Sequence, residues 1–517
     1  MIQRSSSVKT DYALHAFLFL FQMLSLLPGG FMQEGTTPAW IYPCWLILST
    51  VTIFRQGEVL AQYDSHLIFI PSMISCGLYG LCLINEFTRD LWAFAQARNL
   101  PVFVRIIWYQ LGVLLIHPQI YPIVWNRAQN FLQGLWERGY FARKIGILAV
   151  IVAMILWLIR SQNISPDGYD WLEHSAYPLH WVRYLREPLG TYLFFLFVYF
   201  CTKVFHWVPY VSISVLTILC GIASAMFLRR VFRYAVPQPF SRISLLLLFC
   251  SYGYMQIFAG NIEIYALLHL GLSIFLYLVV RYLEDDWSVW VPGIAFGVLF
   301  CLHLSVGWWI PAFLLLPYLK YATRKSLPHP IGEWLRMLTG FTAFVVSFGL
   351  FVLFYGYQGD GMAMWNHFWG DQVMNVGADG AMFRRIEVFF SFDVYLAMFN
   401  EYSCMFMGGI LLLIVVLSSR PSWRDWTPFC RWNALLVGMY AIYSIVWNPD
   451  RHFPADWDLF SGITIPAVLL VSQMASRLPL RRETVFYLYY QSILFSGLYL
   501  LIQLYRNHIR ITGWPEL

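Results

Sequence analysis

The chain has 517 residues, of which 59% are hydrophobic and 12% charged, with 23 Trp, 42 Phe and a formal net charge of +6. That composition excludes an ordinary soluble globular protein and describes a chain dissolved in lipid. The modest positive charge is spread over short connections, which speaks for orientation in a membrane and against nucleic-acid binding.

A membrane span needs roughly 20 apolar residues. Runs of about that length fall near 12–28, 39–54, 66–85, 101–117, 145–160, 209–228, 241–258, 263–282, 287–303, 306–321, 335–356, 401–418, 432–447, 459–475 and 484–503, about 15 spans in all. The runs are continuous rather than alternating, so the expected fold is an all-α polytopic bundle and not a barrel. The first run follows Arg4 and Lys9 and ends in LLPGG without a small-x-small cleavage site, so it reads as an uncleaved span. A further apolar stretch, 192–208, contains Lys203 and His206 and reads as a helix lying along the surface or half-buried.

The chain divides into a four-span module at 1–118, an amphipathic interfacial segment at 119–144, and a larger transmembrane domain at 145–517 with external loops 161–208, 357–400 and 448–462. Short loops rich in Lys and Arg set orientation. The basic connections are Arg143-Lys144, Arg229 to Arg233, Lys320 to Lys325, Arg420 to Arg424 and Arg477 to Arg482, and all five alternate correctly as cytoplasmic loops if 192–208 does not cross. The opposite face then receives 161–190, GNIEIY at 260–265, HLSVGWW at 303–309, the 357–400 loop and NPDRHFPADWDLFSG at 448–462. The cysteines lie almost entirely inside apolar runs with no CxxC spacing, so neither a disulfide framework nor a zinc site is expected.

Each polar cluster on that face has a plain reading beside a chemical one. Ser165-Pro166-Asp167 resembles a helix start, which explains one acid; Asp167, Asp170 and Glu173 recur at three-residue spacing beside His174 and would share a helical face. A carboxylate at a dry interface gains affinity for protons, a metal ion or an acceptor hydroxyl, as a general base requires. Glu263 begins a span, where the helix dipole stabilises it, yet an acid near hydrocarbon usually marks a site. Arg451, His452, Asp456 and Asp458 crowd one short loop, and Arg451 suits bidentate phosphate binding. Arg384-Arg385, in the long 357–400 loop, would hold a phosphate or lipid headgroups. His303 is a lone histidine, more often a satisfied helix-end residue than a ligand. The many Trp residues form an interfacial belt first, with sugar stacking by Trp171 or Trp369 as the sharper alternative.

A span followed by an acid-bearing loop, Asp167-Gly168-Tyr169-Asp170-Trp171, then Arg186-Glu187-Pro188-Leu189-Gly190, the basic Leu228 to Phe232 and Glu263, resembles the polytopic GT-C glycosyltransferases. The resemblance covers roughly 145–505; the segment Asp456-Trp457-Asp458 and the four N-terminal spans depart from the usual arrangement and point to an atypical branch. It implies a polyprenyl-phosphate-linked sugar as donor, Asp167 or Asp170 as base or metal ligand, Glu263 as a second external acid, and donor-phosphate contacts from Arg451 or Arg384-Arg385. A divalent cation, magnesium or manganese, would be shared by Asp167 and Asp170. The expected setting is a bacterial inner membrane with the site facing the periplasm, and the N-terminal spans would dock a membrane protein partner. A transporter would instead carry its charges at mid-span with repeated halves. A non-catalytic subunit that retains the scaffold is the other alternative.

Overall fold

The computed structural model describes residues 141–508 apart from 162–165, 176, 178–180, 183, 237–238, 286, 324–329, 370–383, 385–389, 419–425, 448–456 and 478–481, together with scattered positions between 104 and 130. The N-terminal spans up to residue 100 lie outside the described residues. Among those described, the architecture is helical, with α1 Phe141–Leu158, α2 Pro166–His174, α3 Pro188–Phe205, α4 Pro209–Ala235, α5 Pro239–Ser251, α6 Tyr265–Glu284 and α7 Trp290–Leu302. There follow α8 Ile310–Thr323, α9 Pro330–Phe351, α10 Gly361–Asn366, α11 Phe392–Ser418, α12 Pro428–Val446, α13 Thr464–Ala475 and α14 Arg482–His508. Proline opens α3, α4 and α12, where its missing N–H costs no hydrogen bond. Thr427 and Asp360 cap α12 and α10 through their side-chain oxygens.

The helices run between two chemically different ends. At one end Tyr234 donates to Asp285 at 2.7 Å, Arg281 pairs with Asp285, Tyr282 donates to Glu333 at 3.2 Å, and Lys320 sits 4.1 Å over the Tyr282 ring. Tyr121 and Trp125 pack there against Tyr487 and Tyr490, at the start of α14. The opposite end gathers Ser161, residues 181–182, 184–190, 259–265 and 303–309, Tyr357, whose hydroxyl donates to the Val182 carbonyl, Arg384, and residues 446–447 and 457–463.

At that second end the α-helices give way to tighter or looser windings. α5 is followed by the 3-10 segment Gly253–Phe258, α7 by the 3-10 segment Leu304–Trp309, and α9 by a π turn at Val352–Gly356, while α13 is preceded by the 3-10 segment Trp457–Ile463. The predicted runs 241–258, 306–321, 335–356 and 459–475 are therefore composite. Thirteen α-helical residues rise about 20 Å and six 3-10 residues about 12 Å more, enough together for a core of about 30 Å. Irregular backbone at such a depth is tolerated where protein covers it. Tyr254, Gln256, Ile257 and Phe258 are all buried.

Six described helices are long and apolar enough to cross a membrane, and Pro188–Phe205 is among them by length and composition. Its surroundings place it differently. Gly190, in its first turn, abuts Ile264 and the carbonyl of Leu302, whereas Tyr210, just beyond its last turn, donates to the carbonyl of Ser161, whose own N–H bonds Ala259. Both ends of α3 thus meet the same connection, 259–264, so the helix lies across the end of the bundle with Leu196, Phe200 and Phe205 exposed. His206 closes it in a left-handed conformation, φ 56°. This is the surface-lying alternative for 192–208.

The main core is formed by α4 to α8 and α11 to α14. Trp432 donates to the Ala312 carbonyl at 2.8 Å, and Phe296 stacks on Phe313 with centroids 4.2 Å apart. Gly293 lets α7 approach α9 closely: a Cβ there would lie 2.4 Å from the Met337 carbonyl oxygen. Outward-facing Leu335, Val346, Leu350 and Phe354 on and beyond α9 are exposed, as lipid contact requires.

Candidate functional site

The start of α3 and the break after α7 are joined directly. Leu304 N–H donates to the Arg186 carbonyl at 2.9 Å, and His303 Nε2 lies 3.0 Å from Glu187 Oε1, off the line of a well-aligned hydrogen bond. His303 caps the 3-10 segment 304–309 by accepting from Ser305 N–H at Nδ1, 3.1 Å away. The Tyr265 ring stands 5.6 Å from the His303 ring. Two residues before Tyr265, Glu263 is 5% exposed, in the bend that precedes α6 rather than in its first turn.

A second group surrounds the end of α12. Tyr440 donates to the Leu459 carbonyl at 3.0 Å, and Trp308 and Trp309 pack on Tyr443 and Tyr440. Tyr402 donates to Ser444 Oγ at 2.9 Å. Arg384 Nη1 donates to the carbonyls of Ser444 at 3.2 Å and Ile445 at 3.1 Å, while its backbone N–H bonds Val446. Those carbonyls end a helix and attract a cation. Burial lowers the Arg384 guanidinium to about 10, so it stays charged at neutral pH. Beneath lie Glu401, 1% exposed, and His269, whose Nε2 is 2.8 Å from Ser461 Oγ between the rings of Tyr254 and Phe258.

The residues singled out from the sequence are distributed unevenly. Glu263, His303 and Arg384 are buried at one end of the bundle. Asp170 and Glu173 are exposed on α2, which docks through Trp171 instead. Trp171 is 5% exposed, stacked on Tyr184 at 4.4 Å and met edge-on by Phe194 and Phe195, so its ring is core and presents no face to a sugar. Trp369 is exposed and stacks on Trp365, with centroids 5.6 Å apart. Asp167 and Asp458 lie on the helical segments 166–174 and 457–463, but their side chains, like all of Arg385, Arg451, His452 and Asp456, lie outside the described residues.

Sequence reasoning passed over Glu187, Glu401 and His269 as site residues. Glu187 reads as the residue before a helix-opening Pro188. The signal for the other two was an ionisable group at the edge of, or within, an apolar run. Among the described residues no three His, Cys, Asp or Glu side chains are grouped as a cation would need.

The described fold is that of an all-helical, polytopic integral membrane protein. No known protein family matches the chain, and neither does any curated protein. Among solved structures it is similar to the crystal structure of ArnT from Cupriavidus metallidurans in the apo state, with a TM-score of 0.45 and 14% identity over 71% of this chain and 77% of that chain.

Proposed function

We propose that the chain is a membrane glycosyltransferase that moves a sugar from a polyprenyl-phosphate donor to an acceptor at the end of the bundle where the α-helices break. The observation that carries this reading is the gathering of two buried acids, Glu263 and Glu401, and the half-buried Glu187 with His303 and Arg384 at that end, inside a chain otherwise built for lipid. Ionisable groups in such a setting are costly and mark substrate paths. Their placement at one end rather than mid-span favours transfer at a membrane face over transport.

In the proposed reaction a carboxylate takes the proton of an acceptor hydroxyl, the oxygen forms its bond to the anomeric carbon, and the bond from that carbon to the phosphate oxygen breaks, its electron pair leaving with the lipid phosphate. Direct displacement inverts the anomeric configuration. Asp167 and Asp170 remain the proposed bases, and cationic side chains would stabilise charge on the departing phosphate. Because Arg384 grips the end of α12, we assign the phosphate to Arg385 and Arg451. The site would face the periplasm of a bacterial inner membrane. A divalent cation on Asp167 and Asp170 is tested by chelation; the described donor set supplies no grouping for one, and no step is routed through it.

The test is transfer of labelled sugar from a panel of polyprenyl-phosphate donors in membranes containing wild type, Asp167→Asn or Asp170→Asn at matched expression. Transfer by wild type and its loss in one variant is expected. Absence of transfer from every donor by well-expressed wild type would sink the reading.

A further inference from the structure

His303 is held by two contacts of opposite sense. The Ser305 amide can only donate, so His303 Nδ1, 3.1 Å away, carries no proton. The ring proton is then on Nε2, facing Glu187 Oε1 at 3.0 Å. A second proton on Nδ1 would meet the Ser305 N–H head-on. The pair is therefore a carboxylate beside a neutral imidazole. It carries a single negative charge and does not cancel as an ion pair would.

Three observations set this carboxylate apart from helix building. Glu187 is the N-cap of α3 yet makes no side-chain cap bond. Its backbone already does the local work: the N–H donates to the Tyr184 carbonyl at 3.1 Å, and the carbonyl accepts from Thr191 N and Thr191 Oγ1, each at 2.8 Å. The two turns are also joined without it, through Leu304 N–H and the Arg186 carbonyl. Finally, the Glu187 side chain is 15% exposed against 7% for His303, so the opening lies on the carboxylate's side.

We propose that Glu187 is a substrate-binding carboxylate for a hydroxyl of the lipid-linked sugar, with His303 as the positioning residue that stands against one oxygen and leaves the other for the sugar. This rests on the glycosyltransferase reading above and deepens it. The negative charge repels a phosphate, so the pair reads the sugar and not the lipid phosphate. Nor is His303 itself offered to a phosphate, since Nδ1 accepts from the Ser305 N–H and Nε2 lies 3.0 Å from a carboxylate oxygen. Fixing one carboxylate oxygen beforehand lowers the ordering cost of the new hydrogen bond.

The test uses the purified full chain and two ligands: polyprenyl phosphate, and the best-bound member of a panel of polyprenyl-phosphate monosaccharides. Glu187→Gln keeps the volume and removes the charge. His303→Asn keeps an oxygen able to accept from Ser305 N–H but is too short to reach Glu187. Glu187→Gln is expected to weaken binding of the sugar-bearing lipid on the order of ten- to a hundredfold, and His303→Asn several-fold. Polyprenyl phosphate should bind each variant as it binds wild type, and the double variant should be no worse than Glu187→Gln alone. Equal weakening for both lipids, no weakening, or additive losses would overturn the assignment. If Glu187→Gln does not fold, His303→Asn decides by the same comparison. Wild type that binds neither lipid overturns the glycosyltransferase reading and this assignment with it, whereas wild type that binds both while the variants match it overturns the assignment alone.

Discussion

The hydroxyl of Tyr440, in the last turns of α12, donates to the carbonyl of Leu459 at 3.0 Å, tying that helix to the 3-10 segment 457–463 that follows the ionisable 448–456 loop. Tyr440→Phe removes this donor while keeping the ring contact with Trp309. A loss of about 1 kcal/mol in stability is expected, read as a lower Tm in detergent. Faster limited proteolysis within 448–456 should accompany it, and unchanged proteolysis would show that the bond does not anchor the loop.

Arg384 joins the connection between α10 and α11 to the α12 terminus through two backbone carbonyls. Arg384→Ala should lower stability by about 1–3 kcal/mol, because a buried helix end loses its donors. Arg384→Lys should recover part of that, since a single ammonium satisfies the two carbonyls less well than the planar guanidinium. The folded-state value near 10 lies below the ordinary 12.5. The sign follows: folding disfavours the charged form, a cost constant below about pH 10 and relieved only as pH rises through that value. Unfolding measured between pH 6 and 9 should therefore show no slope from this group.

Gly190 lies one turn into α3, where a Cβ would stand 2.7 Å from Ile264 Cδ1 and 2.9 Å from the Leu302 carbonyl oxygen. A side-chain carbon can shift, but a helix carbonyl moves only with its helix. Gly190→Ala is expected to cost about 1–3 kcal/mol and to displace Glu187 from His303. Sugar transfer should fall by more than expression does. Full activity at normal Tm would show that the contact relaxes freely.

His269 and Ser461 are both fully buried, 2.8 Å apart and 192 residues apart in sequence. Ser461→Ala leaves a buried imidazole nitrogen without that partner, for an expected loss of about 1–3 kcal/mol. His269→Phe with Ser461→Ala should be less harmful than the two single losses summed. A double-mutant cycle read by thermal denaturation checks this, and strict additivity would mean the two side chains do not interact.

Much of the architecture was legible in the sequence because hydropathy is local. Continuous apolar runs could not be strands with a polar face, and the polar clusters from 161–190, 260–265 and 303–309 could be assigned to one face by counting Lys and Arg. A crossing at 192–208 would have put Arg229 to Arg233 on the outer face, which argued against one, and both ends of α3 meet the connection 259–264. The breaks were not legible. Val306 and Ile257 are as apolar in 3-10 turns as they would be in α-helix, so periodicity alone cannot separate one long span from an α-helix completed by a tighter winding.

The functional groups divide the same way. By itself the sequence determined that this is a helical membrane chain and predicted that its unusual acids, arginines and histidines gather toward one face, because burial of apolar length and exclusion of charge act residue by residue. Only the tertiary structure decided which of those groups meet. Glu187 faces His303 across 116 positions, Arg384 closes the end of α12, and Trp171 is covered by Tyr184 instead of being open to a ligand. Such pairings depend on where helices stop and how closely they pack, which is set by contacts between segments distant in sequence and leaves no periodic trace in any one of them.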